Sequence, residues 1–194
     1  MSQSFHPTEH RGYRELYVSL RQLAEHWQRL GGRLAGERVG SELLAGAAAA
    51  RAMLEALSAF TEPRGLYGTP LAVGLGATIA AARNVVGDRL LEQNQAVRLA
   101  LLDVHHAREL LEYLARAAQG RGDADAVAFC TSARKRLGKA KDSVHGAYVE
   151  MAADPDRAIK PADRSRVGWV ASRLGAAIGT LGELVDRRAS TRYR

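Results

Sequence analysis

Five cationic side chains fall within eight positions of one predicted helix. They are Arg134, Lys135, Arg136, Lys139 and Lys141, and the first acid after them is Asp142. Solvated helix faces usually mix signs through acid and base pairs spaced by four residues, and this run lacks such partners. Unpaired like charges favour an external polyanion, and Lys and Arg neutralise the phosphates of nucleic acids. The run therefore predicts phosphate contacts, with a solvated helix face as the alternative.

The surplus positive charge lies entirely in the last third of the chain. Residues 1–130 contain 14 Lys and Arg and 14 Asp and Glu, whereas residues 131–194 contain 14 against 7, which accounts for the net charge of +7. Arginine dominates beyond the five-cation run and suits bidentate phosphate contacts. The further predicted contacts are Arg164, Arg166, Arg173, Arg187 and Arg188.

A second cluster of side chains could bind a metal ion. Asp103, His105, His106, Glu109 and Glu112 lie close together in sequence, and carboxylates and imidazoles are common metal ligands. A ferritin-like di-metal bundle needs two Glu-x-x-His pairs on facing helices, and no such pair occurs in this sequence. We expect a charged surface here, no bound metal and no cofactor.

No catalytic signature stands out, so we expect a protein that is not an enzyme. Gly74-x-Gly76 lies inside a predicted helix and lacks the rest of a nucleotide fingerprint. The single cysteine, Cys130, cannot form an internal disulfide and is expected in the core. The N-terminus lacks the layout of a signal peptide, which predicts a cytosolic location.

The longest uncharged run, residues 65–82, approaches the length of a membrane span. It contains four glycines and Pro70, however, and proline starts a helix more readily than it continues one. We interpret the run as a buried core helix and expect no membrane segment.

Helical periodicity dominates the whole sequence, and no stretch alternates as a strand would. The pattern predicts an all-α helical bundle of about five to six helices that forms a single domain over residues 1–194. The predicted helices cover 9–35, 40–61, 70–91, 94–119, 124–152 and 162–189. No strong breaker separates the third from the fourth, so one continuous helix is an alternative.

The fifth predicted helix divides into two faces at 100° per residue. Lys135, Arg136 and Lys139 point away from the apolar face, and Arg134 and Lys141 flank these three cations. The apolar face consists of Val127, Cys130, Ala133, Leu137, Ala140, Val144, Tyr148 and Met151.

The sixth predicted helix carries a seam of small residues beside its apolar stripe. Glycine inside a helix is unfavourable, so the seam predicts close approach by another helix, from the same chain or from a second subunit. Its members are Gly168, Ser172, Gly175, Gly179 and Gly182.

The start of the third predicted helix carries a family resemblance. The stretch from Pro70 to Ala80 combines a proline start, Gly74-Leu75-Gly76 and further small and apolar residues. It resembles a helix start in the small helical subunits of multi-subunit CRISPR effector complexes. The resemblance implies a non-catalytic bundle in an antiviral defence complex, which packs beside guide RNA and a target or displaced strand through basic faces.

The leading hypothesis is a nucleic-acid-binding bundle that contacts RNA or single-stranded DNA and the other protein subunits of a ribonucleoprotein. The first alternative is a helical scaffold or homo-oligomer that uses the glycine seam. The second is a carboxylate and histidine metalloprotein.

Overall fold

The computed structural model of the protein describes residues 5–66 and 91–163. The predicted third and sixth helices, the glycine seam and the Pro70 motif lie outside the described residues. Among the predicted phosphate contacts, those from Arg164 onward also lie outside them.

Five α-helices and two single 3-10 turns make up nearly all of the described chain. Within the described ranges no β-strand occurs, and the prediction of an all-α helical bundle is confirmed. The helices are α1 Pro7–Arg33, α2 Arg38–Thr61, α3 Gln93–Gly120, α4 Ala124–Glu150 and α5 Pro155–Ala158, and the 3-10 turns are Glu62–Arg64 and Met151–Ala153.

Side chains at the N-termini set where the helices begin. The His6 ring accepts a hydrogen bond from the Thr8 amide at 3.3 Å, and Glu9 accepts from the His6 amide at 3.0 Å, which forms a capping box at α1. Asp123 accepts from the Ala126 amide at 3.0 Å and caps α4.

The alternative of one continuous helix across residues 70–119 is wrong. Glu92 has extended backbone, with φ −66° and ψ 157°, and it forms an isolated antiparallel bridge with Pro161. The Gln93 amide donates to the Lys160 carbonyl at 2.9 Å, so the chain after α4 is fastened to the start of α3. Helix α3 therefore starts anew at Gln93. Pro161 belongs to this bridge and has no helical backbone.

The four long helices form a square bundle in which every neighbouring pair is antiparallel. Helix α1 packs against α2 and α3, and α4 packs against the same two helices. Short connections join α1 to α2 and α3 to α4. Helices α2 and α3 consequently run in the same direction, and Leu66 and Leu91 lie at opposite ends of the bundle.

The fully buried Trp27 joins three of these helices. Its indole Nε1 donates to the Ala100 carbonyl of α3 at 2.9 Å. Its ring lies against Gly46 of α2, where an added Cβ would be 2.2 Å from the nearest ring carbon. Only glycine lets the backbone of α2 approach the indole this closely.

Two further glycines allow close contact within the first hairpin. A Cβ on Gly40 would lie 2.2 Å from the Leu34 carbonyl oxygen, and one on Gly31 would lie 2.9 Å from the Gly40 carbonyl oxygen. The sequence analysis inferred close glycine packing only for the sixth predicted helix. The described part of the bundle uses the same device between α1 and α2.

A buried ion pair ties the N-terminus of α1 to the loop between α3 and α4. The Glu9 side chain is fully buried, and its Oε2 lies 2.7 Å from the Arg121 Nε. Arg121 also contacts Asp123 at 3.4 Å, so the residue that caps α4 belongs to the same network.

By length and composition, one segment in the described ranges, Arg38–Arg64, qualifies as a possible membrane span, with mean hydropathy 1.4 over its most apolar window. Core helices of globular proteins meet the same criterion. This segment contributes Leu43, Ala47 and Leu57 to the bundle core.

The contact between Gly46 and Trp27 yields a stability prediction. Gly46→Ala should destabilise the protein by about 1–3 kcal/mol, because the new methyl group overlaps the ring of the fully buried Trp27. Chemical denaturation monitored by circular dichroism measures the change.

The matched control is Gly146→Ala in α4, where an added Cβ meets nothing within 4 Å. That change should stabilise the protein by about 0.5–1 kcal/mol through helix propensity. Equal effects of the two substitutions would contradict the packing of Trp27 against α2.

Candidate nucleic-acid interface

Helix α4 presents the two faces that its sequence predicts. The predicted apolar face is buried or half-buried throughout, and Lys135, Arg136 and Lys139 are exposed, while Arg134 and Lys141 are half-buried at its edges. The orientation of the cationic run is therefore confirmed. Its role in binding stays a prediction.

The run contains no acid and base pair spaced by four residues, as predicted, but two of its five cations have acidic partners of other kinds. The Arg134 guanidinium lies 2.5 Å from a carboxylate oxygen of Glu112, and the Lys141 ammonium lies 3.3 Å from Asp142. The spacing argument considered partners on the same helix, whereas Glu112 comes from α3. Lys135, Arg136 and Lys139 form no ion pair with any residue that the structure describes.

The cationic run borders a groove between α3 and α4 with a volume of about 580 Å³. We call it the basic groove. Its charged lining residues are five cations, Arg108, Arg116, Arg134, Lys135 and Lys139, and two acids, Glu112 and Asp142. The lining thus has a formal charge of +3. Arg136 and Lys141 are not among its lining residues.

Two arginines of the groove, Arg108 and Arg134, have a buried donor without an acceptor among the described residues. The donor is Nε in both side chains. The Arg108 guanidinium lies across Gly138 of α4, where an added Cβ would be 3.7 Å from the nearest guanidinium nitrogen. Buried donors without acceptors are costly, so an oxygen-rich anion in the groove would be favourable.

Sequence analysis missed Arg108 and Arg116. Arg108 lies within the stretch of α3 that was considered for metal binding, residues 103–112, and Arg116 follows it by one turn. A signal was present, because Arg108, Glu112 and Arg116 are spaced by four and share one face of a helix. Which neighbouring helix that face meets is a tertiary property.

The residues of the metal hypothesis point to separate partners. His105 Nδ1 lies 3.9 Å from Glu109, and His106 Nε2 lies 3.3 Å from Glu15 of α1. Asp103 and Glu112 pair with residues of other helices. Among residues 5–66 and 91–163, no group of three or more His, Cys, Asp or Glu side chains could hold a metal ion.

Asp103 instead pairs with His26 of α1. The Nδ1 of the fully buried His26 lies 2.5 Å from a carboxylate oxygen of Asp103. The two residues are 77 positions apart, so no local spacing reveals them. The pair lies beside Trp27 and reinforces the contact of α1 with α3.

Cys130 is a core residue, as predicted. Its sulfur lies 3.4 Å from the Tyr13 hydroxyl, and both side chains are fully buried. Burial raises the pKa of the Cys130 thiol to about 11, and burial likewise raises the pKa of the Tyr13 phenol. The thiolate needed for nucleophilic or redox chemistry is therefore disfavoured.

Comparison with protein-family models, with curated proteins and with solved structures yields no match for this chain.

Burial of Cys130 gives a prediction for the pH dependence of stability. The thiol has a pKa of about 8.5 in an unfolded chain, whereas its pKa in the folded protein is about 11. The stability that the protonated Cys130 thiol contributes to the folded protein is thus fully present below about pH 8.5. It is lost as the pH rises through about 11. Urea unfolding should show wild type losing more stability than Cys130→Ala across this range.

The same burial should protect the thiol from reagents at neutral pH. A thiol-reactive disulfide reagent should modify native Cys130 only at the rate of protein opening, and should modify it at once in denaturant. Rapid modification of the native protein would contradict the buried position.

Proposed function

We propose that this protein is a non-catalytic helical bundle that binds nucleic acid through the basic groove and the exposed cations of α4. The observation that carries the proposal is the unbalanced charge of this surface. Lys135, Arg136 and Lys139 are exposed and have no acidic partner among the described residues, and Arg108 adds a half-buried guanidinium beside them.

Binding of this kind is mainly electrostatic. Each phosphate that meets a cation releases condensed counterions, so affinity depends on salt and hardly on base sequence. The half-buried arginines orient the bound phosphate, because a guanidinium group fits a phosphate with two parallel hydrogen bonds. Glu112 holds Arg134 at the groove wall, which limits the entropy lost when a strand binds.

The proposal extends to a place in a larger assembly. The likeness of residues 70–80 to the small helical subunits of CRISPR effector complexes supports a role beside an RNA guide and a single-stranded target. The charge of residues 131–194 supports the same role independently. The scaffold alternative depends on the glycine seam, which lies outside the described residues.

The first test replaces Lys135, Arg136 and Lys139 together with glutamine. Affinity of the wild type for a mixed-sequence single-stranded oligonucleotide should fall linearly with salt in log–log form. The triple substitution should reduce the slope by about 2 to 3, because each lost phosphate contact removes roughly 0.7 to 0.9. Fluorescence anisotropy at several salt concentrations measures the slope, in parallel for RNA and DNA.

The matched control replaces Arg14, Arg21 and Arg29 of α1 with glutamine, which removes the same charge from another helix. Arg21 and Arg29 both lie 3.9 Å from Glu25, so their charges are partly balanced. The control should retain the wild-type slope. Equal effects of the two triple variants, or no binding by the wild type at low salt, would disprove the proposal.

A further inference from the structure

We propose that the bound strand places unpaired bases in an apolar depression beside the basic groove. The depression has a volume of about 710 Å³ and lies at the start of α4, next to the end of α3 and the loop between these helices. We call it the apolar depression. This subsite rests on the proposed function, which assigns the phosphates to the basic groove, and it extends the contact of the same strand from phosphates to bases.

The walls of the apolar depression are open to solvent and mostly apolar. Ala124, Ala128, Thr131 and Ser132 are exposed, and Val127 is half-buried. The first three of these lie four and three residues apart, so they share one face of α4. A contiguous apolar surface in water is stabilised by contact with another apolar surface.

Two of the lining residues carry a charge, and the two differ in what they can still bind. Asp123 lies 3.4 Å from the Arg121 guanidinium and caps α4, so its charge is already neutralised inside the bundle. Lys135 is exposed and forms no ion pair with any described residue. The charge that the lining offers to a ligand is therefore positive.

The apolar depression and the basic groove are continuous. Gln119, Val127, Thr131 and Lys135 line both of them. A phosphate bound by Lys135 would lie about 10 Å along α4 from Ala128 by helix rise, which is within the reach of the sugar and base of one nucleotide. A cation beside an apolar surface matches the two ends of a nucleotide, an anionic phosphate and a flat base.

The apolar depression favours an unpaired strand. In a duplex each base is covered by its stacked neighbours, so only an unstacked base can lay its face on Ala124 and Ala128. Charge alone would favour the duplex, which carries one charge per about 1.7 Å of axis against about 3.4 Å for one strand. Preference for a single strand therefore separates base contact from simple attraction of phosphates.

The lining predicts little discrimination among the four bases. It contains no aromatic ring, and its polar side chains besides the two charged ones are Gln119, Thr131 and Ser132. Contact is thus mainly with the base face, which every base presents. Since a water molecule takes roughly 30 Å³ in the liquid, the apolar depression has room for more than one base.

The experiment compares three ligands of equal length on the full-length protein. They are a mixed-sequence single strand, the duplex of that strand, and an abasic strand with the same phosphates. Fluorescence anisotropy at one low salt concentration should rank the normal single strand first, and removal of the bases should weaken binding about threefold to tenfold. Affinities for the normal and abasic strands should fall with salt at the same slope, because the slope counts phosphates.

The variant that carries Ala124→Gln and Ala128→Gln fills the apolar depression with neutral polar side chains and leaves every cation in place. It should bind the normal strand as weakly as the wild type binds the abasic strand, with the salt slope unchanged. The matched control carries Ala45→Gln and Ala52→Gln at exposed positions of α2. The control should bind all three ligands as the wild type does.

The outcomes separate this subsite from the proposed function. Equal affinity of the wild type for the normal and abasic strands, or tighter binding of the duplex, would overturn the base contact, and salt-dependent binding would leave the proposed function standing. A preference for bases that survives in the Ala124→Gln and Ala128→Gln variant would place the bases elsewhere on the protein and would also overturn it. If no ligand binds at low salt, the proposed function fails and the base contact fails with it.

Discussion

The placement of Trp27 is the constraint on which the rest of the bundle depends. Its indole must fit against a bare backbone at Gly46 and must also reach the Ala100 carbonyl, so one side chain fixes the distances of α1 to both α2 and α3. The pair of His26 and Asp103 lies beside it and fixes the register of α1 on α3. Burying a ring and a polar pair together specifies one arrangement, whereas an aliphatic contact would tolerate sliding.

The basic groove follows from this register and from the packing of α4 on α3. Because α3 and α4 are antiparallel, Glu112 meets Arg134, while Arg108 reaches the bare backbone at Gly138. The acid neutralises one cation at the wall and leaves the outward ones unbalanced. Helix packing thus separates the charges of this surface into one ion pair, between Glu112 and Arg134, and a set of exposed cations that can meet an external anion.

The sequence was sufficient to predict what depends on a single helix. Periodicity predicted the helical fold and the buried face of α4. Contacts between helices were missed, since Glu112 with Arg134 and His26 with Asp103 are far apart in sequence. The border that the basic groove shares with the apolar depression was equally hidden, because it exists only once α3 and α4 meet.

The order of the helices bears on how the chain reaches this structure. Helices α1 and α2 are joined within a few residues, as are α3 and α4, so each hairpin is built from contacts of low sequence separation. Such contacts form with little loss of loop entropy and favour rapid folding. The contacts of α1 with α3 and of α2 with α4 close much longer loops. Folding of the described bundle therefore divides into fast local pairing and a slower docking step. Trp27 takes part in both, because it packs against Gly46 within one hairpin and donates to Ala100 in the other.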